Sequence, residues 1–444
     1  MLVSDSHRPF TNEQSDLQTG DAHGSPYRAT SKGIPVKKNL SMAASLAIAT
    51  TCALGLALPA HAAATGPTAV TGRSLPSSVD ASGMDPQTKA IVDKIQAKLP
   101  ADWESRLSAT RAKYGLNESP WSEIRDSVIN PGDHQCQRTE LTTYAGSLLD
   151  GAHSGIVGNL RFYGGFDWAS FDALIYGTES KSNTFGVNGE YTQKLTAEAK
   201  NLKRFWDIDS AGIQVIPMHG KDVLSSPERL AHTLSVMYGN PIDEAPREWA
   251  LGLAELFIEL VDSDPVLQGG ANPMFTFNAF AYSEKGDPEP FGISERIVMG
   301  DGILQGMTAV GLGDVAPKGI LGHEFAHHVQ FQKDLFESDL TGPEATRRTE
   351  LMADAFATYY LTHARGESLN ATRLLKSAKS FYQVGDCSFT SSGHHGTPDQ
   401  RFNSATWAAG VANDAANQGH ILPSLKLDEL FEAKLPDLVK PDAG

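Results

Sequence analysis

Apolar residues recur at helical spacing in the segment around residue 325. Leu321, Phe325 and Val329 occupy positions i, i+4 and i+8, which predicts a helix with one buried face. The other face is then available for side chains with a chemical role. The same kind of spacing predicts further helices at five places: 90–99, 103–114, 192–206, 246–261 and 347–361.

Strands are predicted from shorter apolar stretches that are rich in β-branched and aromatic residues. Residues 213–216, 275–282 and 296–300 have this character, and a segment with Gly and Pro separates the last two. Residues 141–192 mix glycine with aromatic and β-branched residues, which predicts loops and short strands there. Together these elements predict an α+β fold that is mainly helical.

The predicted helix around residue 325 contains His323, Glu324 and His327. Side chains four residues apart lie one above the other on a helix, so the two histidines can bind the same metal ion. Glu324 cannot easily join them, but its carboxylate can take a proton from a water at the ion. The chain has 14 histidines, so a chance occurrence is the competing interpretation. The buried face of the helix argues against it.

Two acidic residues, Glu350 and Asp354, share one face of the predicted helix 347–361. A catalytic zinc site needs a third protein ligand, and we predict that Glu350 supplies it. Asp354 is then placed to accept a hydrogen bond from a ligand histidine and to orient its ring. The alternative is a solvated helix face, which is the commoner role of such a pair in isolation. His328 is expected to be structural or to support the ligands.

These segments resemble the gluzincin metallopeptidases. The sequences at 323–330 (His-Glu-Phe-Ala-His-His-Val-Gln), 350–357 (Glu-Leu-Met-Ala-Asp-Ala-Phe-Ala) and 395–401 (His-Gly-Thr-Pro-Asp-Gln-Arg) are similar to the bacterial neutral zinc metallopeptidase family. Asn-Ala-Phe-Ala at 278–281 resembles the CAAX-prenyl-protease-like branch. The resemblance covers about residues 272–410. It implies a zincin-like fold and one Zn2+ ion, with His323, His327 and Glu350 as the ligands.

The resemblance also implies a small sheet with an edge strand that binds the substrate. Asn278, Ala279 and Phe280 match that strand. An edge strand has unpaired amides that can bind any extended peptide.

A second implied role concerns a histidine near the end of the matched region. His395 precedes Arg401 by six residues, and this spacing matches an element of the CAAX-like branch. The histidine would stabilise the negative charge that develops on a substrate carbonyl, and Arg401 would support the site. His394 is the alternative, and Gly396 stands where that branch has proline.

Composition narrows the classes of partner. The chain has 444 residues, of which 40% are hydrophobic and 20% charged, as in ordinary globular proteins. Its net charge of -16 disfavours binding to nucleic acid or to an anionic membrane surface, because both need basic patches. A peptide or protein substrate remains the expected partner.

The amino-terminal region has the features of a bacterial secretory signal. Two lysines precede an apolar run at 42–58, and an Ala-His-Ala site follows at 60–62. We expect cleavage after Ala62 and export to the periplasm or beyond. The apolar run is short for a membrane span, so no stable span is expected after cleavage. Residues 1–35 do not resemble the start of a signal, and we hypothesise that translation begins at Val36.

The rest of the chain is expected to divide into three parts: a flexible linker at 63–83, an accessory region at 84–240 and a zinc metallopeptidase domain at 241–444. After removal of residues 1–62, Cys136 and Cys387 are the remaining cysteines. In an oxidising compartment they are expected to form a disulfide, and the alternative is two buried thiols.

The expected function is therefore that of a secreted zinc metallopeptidase with Glu324 as general base. One alternative is a metal-binding, chaperone-like protein without turnover, although such a protein has no use for Glu324. A second alternative is a zinc hydrolase of a non-peptide bond, such as a cell-wall amide.

Overall fold

Helices make up most of the structure. The computed structural model describes residues 83–114, 138–287, 290–386, 394–414, 416–417 and 419–440, together with the backbone of residues 50–51. The helices in this part of the chain are α1 (Pro86–Lys98), α2 (Trp103–Lys113), α3 (Glu140–Ser147), α4 (Ser154–Phe162), α5 (Trp168–Tyr176), α6 (Thr192–Phe205), α7 (Gly220–Leu224), α8 (Pro227–Met237), α9 (Glu248–Asp262), α10 (Asp301–Ala309), α11 (Ala316–Lys333), α12 (Pro343–Thr362), α13 (Ala371–Gln383), α14 (Pro398–Asn413) and α15 (Ser424–Leu438). The mainly helical α+β class is confirmed.

A small sheet contains three strands, β2 (Gln214–Met218), β3 (Ala279–Tyr282) and β4 (Arg296–Gly300), with β4 in the middle. Strand β2 is parallel to β4, and β3 is antiparallel to it. A two-residue fourth strand, β1 (Thr50–Thr51), pairs with Phe280 and Ala281 on the other side of β3. Strand β3 is therefore not a free edge along these two residues, contrary to our expectation.

The prediction of loops and short strands at 141–192 was wrong, because α3, α4 and α5 occupy much of this segment. Helix α5 explains part of the error, since all eight residues from Trp168 to Ile175 are buried. A helix that is buried on every side shows no alternation between apolar and polar residues at helical spacing.

The predicted strand 275–282 was too long. Residues Pro273–Thr276 form a 3-10 turn, in which the side chain of Asn272 accepts a hydrogen bond from Met274 N at 2.9 Å. Proline at the first position fixes the backbone angle that such a turn needs. The strand begins only at Ala279.

The helices and the sheet share a main hydrophobic core that extends from Ile91 in α1 to Leu438 in α15, beside a second cluster of four buried residues, Ala357, Ala378, Phe381 and Ala405. Helix α11 packs against β3, β4 and α12, and α12 packs in turn against α14. The described residues belong to one compact unit, Ala44–Gly444. The predicted domain boundary at 240/241 stays a prediction. Strands β2 and β4 lie on opposite sides of this boundary in the chain and pair with each other in the sheet. Among the described residues, no helix is long and apolar enough to cross a membrane.

Candidate metal centre

The predicted metal ligands converge between α11 and α12. The Nε2 atoms of His323 and His327 lie 3.0 Å apart. Glu350 of α12 places its carboxylate oxygens 3.3 Å from Nε2 of His323 and 3.5 Å from Nε2 of His327. One ligand atom from each residue lies within 4.8 Å of the other two, and all three residues are buried. This spacing allows one ion to contact all three side chains.

Both ligand histidines are oriented by a hydrogen bond on the far side of the ring. His323 donates Nδ1–H to Asp354 Oδ1 at 2.8 Å. His327 donates Nδ1–H to Gln330 Oε1 at 2.7 Å, while the Gln330 amide donates to the carbonyl of Thr349 at 2.8 Å. A neutral imidazole that donates through Nδ1 carries a lone pair on Nε2. Two imidazole nitrogens and a carboxylate, all of them atoms that bind divalent metal ions, therefore face one another.

The charges buried around these ligands also fit a divalent cation. Three carboxylates and one guanidinium are 0% exposed here: Glu324, Glu350, Asp354 and Arg401. Because burying an uncompensated charge is costly, the excess of carboxylates fits a bound cation. Burial lowers the pKa of His327 to about 3, so its imidazole is neutral, as a metal ligand requires.

The pKa of Glu350 reflects opposing influences. Burial on its own raises this pKa, but the nearby histidines, His395 first among them, outweigh it and hold the pKa below its usual value. Glu350 is therefore a carboxylate at neutral pH and can bind a cation.

Asp354 is held by Arg401, which reaches it from α14. Nε and Nη2 of Arg401 donate to Oδ2 and Oδ1 of Asp354, both at 2.7 Å. The start of α14 fixes the position of the arginine, since Thr397 and Gln400 form a reciprocal capping box with both bonds at 3.1 Å. Nη2 of Arg401 is also 3.7 Å from Glu350 Oε2. The arginine thus contacts both acidic residues of α12 that the sequence singled out.

The two neighbouring histidines of the following loop face different partners. His395 Nδ1 lies 3.4 Å from Glu350 Oε2, whereas His394 Nδ1 is hydrogen-bonded to Asp386 at 2.7 Å. The other oxygen of Asp386 accepts the backbone N–H of His395 at 2.7 Å. Asp386 therefore contacts both histidines, and His395 lies beside the ligand set.

The residues predicted to bind substrate lie in or next to β3. Asn278, Ala279 and Phe280 are all buried. The Asn278 carbonyl accepts a hydrogen bond from Gly300 N at 3.0 Å, which extends the pairing with β4. Helix α11 packs on β3, so these residues share a neighbour with the ligand histidines. Their role in binding substrate stays a prediction.

Other residues from the sequence analysis fall elsewhere. His328 Nε2 lies 3.2 Å from the carbonyl of Arg296, which joins α11 to β4, and burial lowers the pKa of His328 to about 4. Cys136 and Cys387, like the signal segment at 42–58, lie outside the described residues.

Sequence reasoning missed two residues at this site, Gln330 and Asp386. Gln330 could have been found, because it lies three residues after His327 and therefore on the same side of the helix. Asp386 gives no such signal, because it follows α13 in a segment without periodicity.

Comparison with known proteins finds no matching family model, no matching curated protein and no matching solved structure. The functional assignment therefore depends on the geometry of the site itself.

Proposed function

We propose that this protein is a zinc-dependent peptidase with Glu324 as its general base. The observation that carries the proposal is the convergence of His323, His327 and Glu350 in one buried centre, with their ligand atoms within 4.8 Å of one another. Two imidazoles and one carboxylate form a ligand set that suits zinc and leaves a fourth position for water or substrate.

When bound, Zn2+ would polarise the substrate carbonyl and lower the pKa of a water to about 7. Glu324 follows His323 directly on α11 and would accept the proton of that water and pass it to the leaving amine. Asp354 and Gln330 would hold the two imidazoles in the tautomer that ligation needs. His395 would stabilise negative charge on the carbonyl oxygen.

Substrate binding along β3 belongs to the same proposal. The pairing of β1 with Phe280 and Ala281 occupies the position that an extended peptide would take. Cleavage after Ala62, which the sequence predicts for an exported protein, would remove β1 and leave that edge of β3 free.

Retention of metal without turnover is the second candidate. The full burial of His323, His327 and Glu324 favours it, because each is 0% exposed and a substrate must reach all of them. A peptidase therefore requires that the site opens to its substrate.

The decisive experiment compares the chain lacking residues 1–62 with its Glu324→Gln variant. We expect about one zinc per chain in both, by elemental analysis, and cleavage of unfolded casein by the unsubstituted chain alone. Glu337→Gln is the matched control, because Glu337 is exposed and follows α11. Zinc without cleavage in either protein would favour the second candidate, and absence of zinc would overturn both.

A further inference from the structure

A cavity of about 1080 Å3 lies at the carboxyl ends of the parallel strands β2 and β4. His219 directly follows β2, Asp301 directly follows β4, and both line the cavity. Neither the proposed metal ligands nor Glu324 lines it. The carboxyl ends of adjacent parallel strands are a common place for ligands, because side chains from both strands meet there.

His219 and Asp301 form a pair at the wall of this cavity. His219 Nδ1 lies 2.5 Å from Asp301 Oδ2, and the side chains are 22% and 11% exposed. The other carboxylate oxygen, Asp301 Oδ1, is buried and has no hydrogen-bond partner among the described residues. A buried carboxylate oxygen without a donor is costly, so its position in a cavity wall indicates a place for a donor from a ligand.

The position of Asp301 is fixed by close packing of the backbone. It is the first residue of α10, and a Cβ atom on the next residue, Gly302, would lie 1.9 Å from the carbonyl oxygen of Pro273. The Gly302 N–H also donates to Thr276 Oγ1 at 2.9 Å. The backbone that carries the Asp301 carboxylate is therefore held in place.

The lining has an excess of negative charge. Its acidic side chains are Asp172, Asp222, Asp243, Glu244 and Asp301, and its basic ones are Lys221 and Arg229. With neutral histidines the excess is three charges, and protonation of His219 would reduce it to two. Arg229 is already occupied, because its Nε donates to the buried Asp172 at 2.9 Å. The cavity therefore favours a cation over an anion.

A metal ion does not fit these residues as well as an organic cation does. Among the described residues, the group close enough to hold a metal is His323, His327 and Glu350, and no such group includes Asp301. The volume also exceeds what a small cation needs, because pockets for drug-sized ligands span about 300–1,000 Å3. The cavity can hold several residues of a peptide.

We propose that this cavity binds a peptide through a protonated primary amine, from a lysine side chain or a free amino terminus, that donates to Asp301 Oδ1. His219 holds the opposite oxygen of the carboxylate. Acidic residues of the exposed 243–244 segment attract the amine to the entrance. This binding site goes beyond the proposed peptidase activity and does not depend on it.

The test measures peptide binding to the full chain carrying Glu324→Gln, so that a peptidase would not consume the probe. The probe is a six-residue peptide of glycine and lysine, and its fully acetylated form is the control. By calorimetry we expect the acetylated peptide to bind at least about tenfold more weakly. Asp301→Asn should weaken binding of the lysine peptide to a similar extent, whereas Asp150→Asn, an exposed aspartate outside the lining, should not change it.

A second variant keeps the test valid if Asp301→Asn does not fold. The double substitution Asp243→Asn/Glu244→Gln changes two exposed residues, and should weaken binding about threefold or more and reduce its salt dependence. Equal affinity for the free and acetylated peptides would overturn the proposal. Spermidine bound as tightly as the peptide would overturn the assignment to a peptide. Neither result bears on zinc content or casein cleavage, which test the peptidase separately.

Discussion

The two ring nitrogens of each ligand histidine have different partners. On His323 and His327, Nδ1 donates to an oxygen of Asp354 or Gln330, and Nε2 faces Glu350. Each outer hydrogen bond decides which nitrogen carries the lone pair, so the affinity for metal depends on residues that do not touch the metal.

The first residue-scale prediction concerns Asp354. We expect Asp354→Asn to weaken zinc binding by about 10–100-fold, because the variant no longer fixes the His323 ring with a charged acceptor. Zinc affinity would be measured by competition with a chelator. Stability should fall as well, since the buried Arg401 loses one of its two carboxylate partners. Asp314→Asn, at an exposed position, is the control, and unchanged zinc affinity in folded Asp354→Asn would contradict this role.

The second residue-scale prediction concerns His395. Its side chain is 0% exposed and lies 3.4 Å from Glu350 Oε2. We expect His395→Ala to lower kcat for casein cleavage by about 100-fold or more and to leave the zinc content unchanged. Substitution of the exposed His420 by Ala should leave both quantities as they are. Full activity of His395→Ala would exclude the proposed role.

At the scale of the elements, a cluster of three charged side chains joins α6, α11 and the segment after α12. Lys318 of α11 lies 2.8 Å from the carboxylate of Glu198, which is 0% exposed, and also contacts Glu367. Burial is the largest influence on Glu198 and raises its pKa to about 8, and Glu367 adds to the effect. These two carboxylates and one lysine fix the three elements relative to one another.

This cluster gives a prediction for stability against pH. The folded pKa of Glu198, about 8, lies above its ordinary value of 4.5. Between these pH values the folded state keeps a proton that the unfolded state loses, so Glu198 lowers stability as pH rises from about 4.5 to 8. Glu198→Gln should therefore melt several degrees above the unsubstituted protein at alkaline pH, and the difference should shrink towards pH 5. The exposed Glu179→Gln should show no such trend, and a difference that does not vary with pH would contradict the prediction.

Local patterns located several elements correctly. The predictions at 192–206 and 246–261 are confirmed by α6 and α9, because each of these helices buries one face only. Helix α5 was missed, because its burial on every side removed the periodic signal. Strand β4 was found at 296–300 as predicted, whereas a 3-10 turn that begins at Pro273 takes up the predicted start of β3.

At the scale of the whole molecule, the two halves of the chain share the sheet and the core. All five residues of β2 pair with β4, and the hydrophobic core continues from α1 to α15. The part before residue 240 therefore contributes to the platform against which α11 packs.

We expect a fragment containing only residues 241–444 to be unable to fold. Removal of β2 would leave one side of β4 unpaired and would expose the apolar residues that α1 buries against α9. Circular dichroism melting should show no cooperative transition for the fragment, while residues 63–444 should melt in one. A fragment that melts cooperatively and binds zinc would instead establish an independent domain boundary at 240/241.

The sequence by itself determined the features that depend on the geometry of one helix. The spacing of His323 and His327 fixes their common face, and the spacing of Glu350 and Asp354 fixes theirs, because the pitch of an α-helix is local. Tertiary structure decided how these faces meet, which of His394 and His395 lies beside Glu350, and how Arg401 joins α14 to α12. It also placed His219 against Asp301, 82 residues away. Such contacts depend on the packing of elements that are distant in the chain, so the periodicity of the sequence does not predict them.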